Sequence, residues 1–522
     1  MNNRHIAKSA FYMSMVTFTS RLFGLAREWL RGYLLGTTSG SDAFTIAFMF
    51  PNLLRRLVGE GALTAAFIPV FSDYLSKGNK DELDEFVKSF FTVLLLFLIV
   101  LVALVLLFAP LLRYVLPEFT KIPGKIELTI ILTRIMFPYI LFISLAALSQ
   151  AILNSFKVFV PSATTPILLN ISIITLGFAL ARKFYNPSLA LAVGVIFGGI
   201  LQFSFQLPFL NKYGIKYGFV FNIKNPGVKR VIMLMLPGAI GAGVYQINAL
   251  VSQIIAAFLE EGSVAALRFS NTLVELVLGV FVISISTVIL PALSEKSSQG
   301  DREGMKENLS FALKLVFLVT LPSMVGLIIL RKPIVSMLFR YGKFTQASVE
   351  MVSYALIFHS LGITGTGASR IVVQMFYSMK DTKTPVYVAT VAMAINLVLC
   401  YFLSFPLKLG GIALAGSVSS YSNYLLLWLL LRKRMGRIAD RSVLSSFLKS
   451  FLSSILMGVV VFIGYRFLRN FMDISRYYNA IATLLLLAVA VISYVSFNLV
   501  LKNQEIIELM KIIKARFKNK KG

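Results

Sequence analysis

Apolar runs long enough to cross a bilayer recur along almost the whole of this 522-residue chain. A helix needs about 20 apolar residues to span the hydrocarbon core. Fourteen runs meet that length, the first starting near residue 9 and the last near residue 478. In lipid the backbone must satisfy its own hydrogen bonds, so only helices or a closed barrel can span. The periodicity is helical throughout, and the alternation of barrel strands is missing. The expected fold is an all-α polytopic membrane protein of 14 transmembrane helices. Composition agrees: 57% of residues are hydrophobic and 14% charged, against about 25% charged in soluble proteins. No linker is long enough to hold a soluble domain.

The net charge of +28 could suggest nucleic acid, but its distribution argues for a membrane. With fourteen spans, Lys and Arg concentrate in one alternating set of loops. That set holds both termini, "RKRMGRIADR" (432–441) and the tail "KIIKARFKNKKG" (511–522). The positive-inside rule then places both termini in the cytoplasm, and contact with anionic lipid accounts for the charge. The lone Cys400 excludes an intramolecular disulfide and a CxxC site. His5 and His359 stand far apart, so no metal centre is expected, and His359 is expected as an interhelical hydrogen-bonding group. The first helix shows no cleavage site after a short apolar core and is expected to be retained. No phosphate-binding loop for ATP is present, so no nucleotide is expected.

The chain also repeats itself. "FIPVFSDYLSKGN" (67–79) recurs as "ILPALSEKSSQGD" (289–301), with Pro69, Ser72 and Gly78 matching Pro291, Ser294 and Gly300. "LALAVGV" (189–195) matches "IALAGSV" (412–418), and "NSFK" (154–157) matches "YSMK" (377–380). Three matches in order at nearly one offset imply a duplication. The expected organisation is 1–222 and 223–442 as six-helix lobes, with 443–522 as a further helix pair and basic tail. Six is even, so the lobes are parallel repeats around a central cavity, the build of a transporter.

The intramembrane charges are not shared evenly between the repeats. The first carries Arg21, Arg27, Glu28 and Arg31, then Asp42, Arg55, Arg56 and Glu60; the seventh helix offers Gln246, Asn248 and Gln253. A charge at the bilayer centre costs from ~2.5 to more than 10 kcal/mol and normally marks a substrate path. Guanidinium groups bind phosphate oxygens in bidentate fashion, so a phosphate or pyrophosphate substrate is expected, with the acids positioning the arginines. Arg27 and Arg31 share a face. Arg21 and Arg27 stand about 120° apart on a straight helix, so convergence calls for a bend or an unwinding at Gly24. Pro51 and Gly61 suggest a second bent helix. Arg56 is placed to pair with Glu60, leaving Arg55 for substrate, and Arg31 could equally snorkel to an interface.

"SRLFGLARE" (20–28), "SDAF" (41–44), "PNLLRRLVGEGALTAAFIPV" (51–70) and "FPYILFISLAALSQAILN" (137–154) resemble the MurJ (MviN) family of lipid II flippases. That family belongs to the multidrug/oligosaccharidyl-lipid/polysaccharide exporter superfamily. "PILLNIS" (166–172), "YGKFT" (341–345) and "KDTKTPV" (380–386) extend the resemblance over nearly the whole chain. It implies two six-helix lobes and a terminal pair that forms a groove for a polyprenyl tail. It also implies translocation of lipid II from the inner to the outer leaflet of the bacterial cytoplasmic (inner) membrane, without covalent chemistry or a cofactor, by a monomer surrounded by membrane lipids. The family's arginines carry over to Arg21, Arg27 and Arg55, its acids to Asp42 and Glu60, and Asn52 lies in the same motif.

One motif departs. Where many relatives have an Asp-Arg pair, this chain reads "RFSNTLVEL" (268–276), with Asn271 and Thr272 at those positions; Arg268, one turn earlier, could reach the same space. An acidic cation site of some relatives is not matched, which leaves membrane potential or a monovalent cation as the expected coupling. Two neighbouring readings are a flippase for another polyprenyl-diphosphate glycan and a drug/cation antiporter of the MATE kind. The antiporter would need acids, not arginines, as its main cavity charges.

Overall fold

A computed structural model describes residues 3–55, 63–438, 440–472, 474–508 and 510; over 3–15 and at several positions in 236–249 it describes the backbone alone. Helix makes up 86%, and no strand is found among the described residues. Among the described residues, ten helices are long and apolar enough to cross a membrane, or eleven if Gln346–Leu361 and Ile363–Ser378, bent by 41° at their junction, form one span. The chain is thus a multi-pass membrane protein. The first helix, Asn3–Leu35, which carries Arg21, Arg27, Glu28 and Arg31, is not in that set.

Two compact units emerge, Met1–Ala265 with Tyr341–Phe344, and Ala266–Arg340 with Thr345–Gly522. The contact boundary at Ala265 lies one helix beyond the sequence repeat boundary at 222, because Pro226–Ala257 packs in the first unit against Leu63–Lys77 and Lys80–Phe108. The repeat leaves a backbone signature. Gly78 and Gly300 take φ of +71° and +70°, and Lys157 and Lys380 take +61° and +60°, at the turns that the sequence matches single out.

In the first unit, Phe67 and Tyr74 stack on Phe86 with centroids 5.4 and 4.7 Å apart. Close helix approach comes from small residues, as lipid-embedded packing requires. A Cβ at Gly194 would sit 2.7 Å from Ile173 Cα, so Pro187–Ser204 meets Val160–Leu180 almost backbone to backbone.

In the second unit, Lys383–Leu407 folds back on Leu409–Met435, and Asp440–Met472 lies between Arg302–Ile329 and Arg476–Val500. A buried polar seam joins the last helices to Arg302–Ile329. Lys314 pairs with Glu505 at 3.2 Å, Ser446 Oγ donates to Glu505 Oε2 at 3.1 Å, and Tyr494 OH donates to Leu318 O at 2.8 Å. His359 meets Ser270 Oγ at 2.7 Å through Nδ1. Cys400 is buried, its thiol donating to Asn396 Oδ1 at 3.7 Å.

Candidate functional site

The candidate site grows from one face of Asn3–Leu35. Glu28 stands between two arginines. Its Oε1 accepts from Arg27 Nη2 at 2.9 Å, and its Oε2 lies 3.1 Å from Arg31 Nη2. Arg31 also donates through Nη1 to Thr45 Oγ1 at 3.3 Å, which joins the first helix to Ser39–Leu54. Arg31 and Glu28 are each 4% exposed. Arg31 therefore does not snorkel to an interface; it is tied down inside the unit. Arg27 keeps 19% of its side chain exposed, so one edge of its guanidinium is held by Glu28 while the group stays accessible.

Asp42 lies on the first turn of Ser39–Leu54 and is 1% exposed. Its partners are not arginines. Lys125 Nζ donates to Oδ2 at 2.8 Å, the Gly262 amide to Oδ2 at 2.7 Å, and the Ala265 amide to Oδ1 at 2.9 Å. Asp42 thus caps the start of the helix Ser263–Val277. Glu261 returns the contact: its Oε1 accepts from the amide and the hydroxyl of Ser39 at 2.6 and 2.5 Å, at the start of Ser39–Leu54. A carboxylate at a helix N-terminus meets amides without intrahelical partners and the positive end of the macrodipole. Lys125 completes the cluster with its ammonium 4.0 Å from the centre of the Phe119 ring.

The other sequence candidates fall as follows. Arg55 ends Ser39–Leu54, half-buried, and donates through Nε and Nη2 to Asn52 Oδ1 at 3.2 and 3.1 Å. Asn52 thereby orients Arg55. The helix runs on through the buried Pro51 as far as Leu54. Arg56, Glu60 and Gly61 lie outside the described residues. Arg21 is half-buried, and the helix Asn3–Leu35 does not unwind at Gly24. Asn170 packs beside this point: its Nδ2 lies 3.9 Å from where a Cβ on Gly24 would be and donates to Ser20 O at 3.4 Å. Arg268 is half-buried in the second unit, and its carbonyl accepts from Thr272 Oγ1 at 2.9 Å.

Sequence reasoning passed over Thr45, Lys125 and Glu261. Lys125 follows "IPG" at a helix start and reads as an ordinary loop lysine; only its 2% exposure shows that its charge is used internally. Among the described residues, no group of three or more His, Cys, Asp or Glu side chains could hold a metal ion.

Helices that cross a membrane many times, with arginines fixed inside them by carboxylates, define a membrane transporter. Its fold is shared with an inward-facing multidrug resistance MATE family transporter of the MOP superfamily (TM-score 0.66, 14% identity, covering 82% of this chain and 99% of that one). The chain belongs to the lipid II flippase MurJ family, whose model matches residues 32–501. A probable lipid II flippase MurJ of Vibrio cholerae is 36% identical over 436 residues, 82% of this chain and 83% of that protein. A solved lipid II flippase MurJ in an inward closed conformation is 31% identical with a TM-score of 0.81, covering 95% of this chain and all of that one.

Proposed function

We propose that this chain carries lipid II from the inner to the outer leaflet of the bacterial cytoplasmic membrane by alternating access, with Arg21, Arg27 and Arg55 receiving the diphosphate. The supporting observation is the Arg27–Glu28–Arg31 arrangement, in which a buried carboxylate fixes one arginine completely and leaves its neighbour partly exposed. Such a group is orientated before substrate arrives, and preorganisation lowers the cost of binding. Asn52 does the same for Arg55. Asp42 holds two helix starts and Lys125, a positioning role, and Glu60 is assigned the same kind of role on the family motif. Arg268 is assigned to the second half of the diphosphate path.

This reading includes fourteen spans in two six-helix lobes, 1–222 and 223–442, with 443–522 guiding the lipid tail and both termini in the cytoplasm. It also takes the protein to be a monomer that uses no nucleotide. Bound charge moving through the field is worth ~2.3 kcal/mol per charge per 100 mV, so membrane potential is the proposed driver, with a monovalent cation as the other candidate. The test is rescue of a bacterium depleted of its own lipid II flippase, with outer-leaflet lipid II measured at matched expression. The wild-type chain should restore exposure, and Arg27→Ala and Arg55→Ala should not. Failure of a folded, inserted wild-type chain would overturn the substrate assignment.

A further inference from the structure

The second unit carries an open polar face that the arginines of the first helices do not account for. Along Ser263–Val277, the residues from 263 to 275 that are not buried are Arg268, Asn271, Thr272 and Glu275. Their helical spacing puts them on one stripe. Ile363–Ser378 repeats the pattern: between 363 and 377 the open positions are Thr366, Arg370, Val373, Gln374 and Tyr377, again one stripe. A face turned to lipid looks different. Lys383–Leu407 exposes Tyr387, Val398 and Phe402, and the stretch beyond the π-helical residues Leu278–Val282 exposes Ile283 and Val288. Charged residues at the open positions of apolar membrane helices mark a wet space.

The two stripes lie side by side. His359, just before the bend that leads into Ile363–Ser378, meets Ser270, and a Cβ on Gly367 would lie 3.4 Å from Val282 Cγ2, so the helices run in the same direction. Helical rise then separates Glu275 from Arg370 by about 10–15 Å along the axes, too far for the two to pair. Glu275 accepts from Asn271 Nδ2 through Oε1 at 3.2 Å, and no lysine or arginine pairs with it among the described residues. Arg370 is half-buried, makes no ion pair or hydrogen bond among the described residues, and has Gln374 one turn beyond it.

A carboxylate repels a diphosphate, so Glu275 serves another part of the ligand. Lipid II has a neutral disaccharide, an anionic diphosphate and a peptide, and the peptide alone carries both an ammonium and carboxylates. Five extended residues span about 17 Å, enough to reach both stripes. We propose that this face of the second unit reads the peptide of the transported head group, with Glu275 taking its ammonium and Arg370 a carboxylate. The inference rests on the lipid II reading above and adds to it a site for the head group, separate from the diphosphate arginines. Asn271 orientates Glu275 through one oxygen and leaves the other for the ligand. Arg268, two turns before Glu275, keeps its place on the diphosphate path.

The test measures binding of three ligands to the purified full-length protein: lipid II, lipid II N-acetylated at the peptide amine, and undecaprenyl diphosphate, which has no head group. Wild type should bind the acetylated lipid about tenfold more weakly than lipid II, as expected of a lost charge-assisted hydrogen bond. E275Q should weaken lipid II by a similar factor, lose the preference for the free amine, and bind undecaprenyl diphosphate as wild type does. R370Q should weaken lipid II while keeping both the preference for the free amine and the affinity for undecaprenyl diphosphate. Equal wild-type affinity for lipid II and its acetylated form overturns the proposal, and that arm needs no variant to fold. An equal loss of undecaprenyl diphosphate in the variants also overturns it, because both residues would then lie on the diphosphate path. A sodium dependence of lipid II binding that E275Q removes whatever the state of the amine makes Glu275 a cation site, and the proposal falls. Wild type that binds lipid II without regard to the amine leaves the flippase reading in place; wild type that binds neither lipid removes that reading, and this proposal with it.

Discussion

Lys125 Nζ lies 2.8 Å from Asp42 Oδ2, with both side chains 1% exposed. A buried pair is worth little against an apolar replacement, but removal of one partner strands a charge and costs about 3–5 kcal/mol. Lys125→Met should therefore destabilise strongly, softened by the two amides that still hold Asp42. Asp42→Leu combined with Lys125→Met should cost less than the two single changes added together. Unfolding curves of the four proteins in detergent measure the coupling, and strict additivity would contradict it.

Glu28 holds two arginines, so its loss should be felt twice. Glu28→Gln keeps the shape but removes the charge that neutralises the buried Arg31, at a cost on the order of 2–3 kcal/mol. Outer-leaflet lipid II should fall at matched expression because Arg27 loses its orientating partner. Transport at the wild-type level in a protein of wild-type stability would remove Glu28 from the site.

Two glycines separate backbone strain from crowding. Gly78 has φ +71° with nothing near its missing Cβ, so Gly78→Ala should cost only the left-handed penalty of about 1–2 kcal/mol. Gly262 has φ +87°, and a Cβ there would lie 2.3 Å from Thr37 O. Gly262→Ala should cost clearly more and disturb the helix start that Asp42 caps. Thermal unfolding of the two variants side by side gives the comparison, and equal losses would show that crowding at Thr37 is relieved without cost.

Asp381, in the turn before Lys383–Leu407, gives a pH dependence. Burial pushes its carboxyl up, but the Thr384 hydroxyl and amide and the Arg434 guanidinium outweigh that and hold it at about 2. The folded state thus binds this proton less readily than the unfolded chain, whose value is near 3.8. The contribution to stability is present above the unfolded value and is lost as pH falls towards 2. It should amount to about 1–2 kcal/mol after solvent screening of the exposed Arg434. The stability gap between wild type and Asp381→Asn should be full at pH 6 and close as pH drops below 3.8; a gap that does not change would refute the assignment.

Helix content was legible in the sequence because it follows from the cost of unsatisfied polar groups in lipid. Arg27, Arg31 and Arg55 stand out against apolar neighbours, and no packing information is needed to see them. The partners of Asp42 were not legible. Asp42 bonds to residues 83 and 220 positions away, and no spacing rule reaches that far. At Gly24 the helix runs on without unwinding; a single glycine weakens a helix without having to interrupt it. The repeat was visible where turns demand unusual backbone, at Gly78 and Gly300 and at Lys157 and Lys380, and faint elsewhere because apolar residues exchange freely within a membrane helix.

The exchanged caps have a further meaning. Ser39 bonds to Glu261, 222 positions on, and Asp42 to Ala265, 223 positions on; both separations equal the offset of the sequence repeat. Equivalent helix starts therefore hold one another, each supplying a carboxylate to the amides of its counterpart. A change at either carboxylate therefore loosens the start of a helix more than two hundred positions away along the chain.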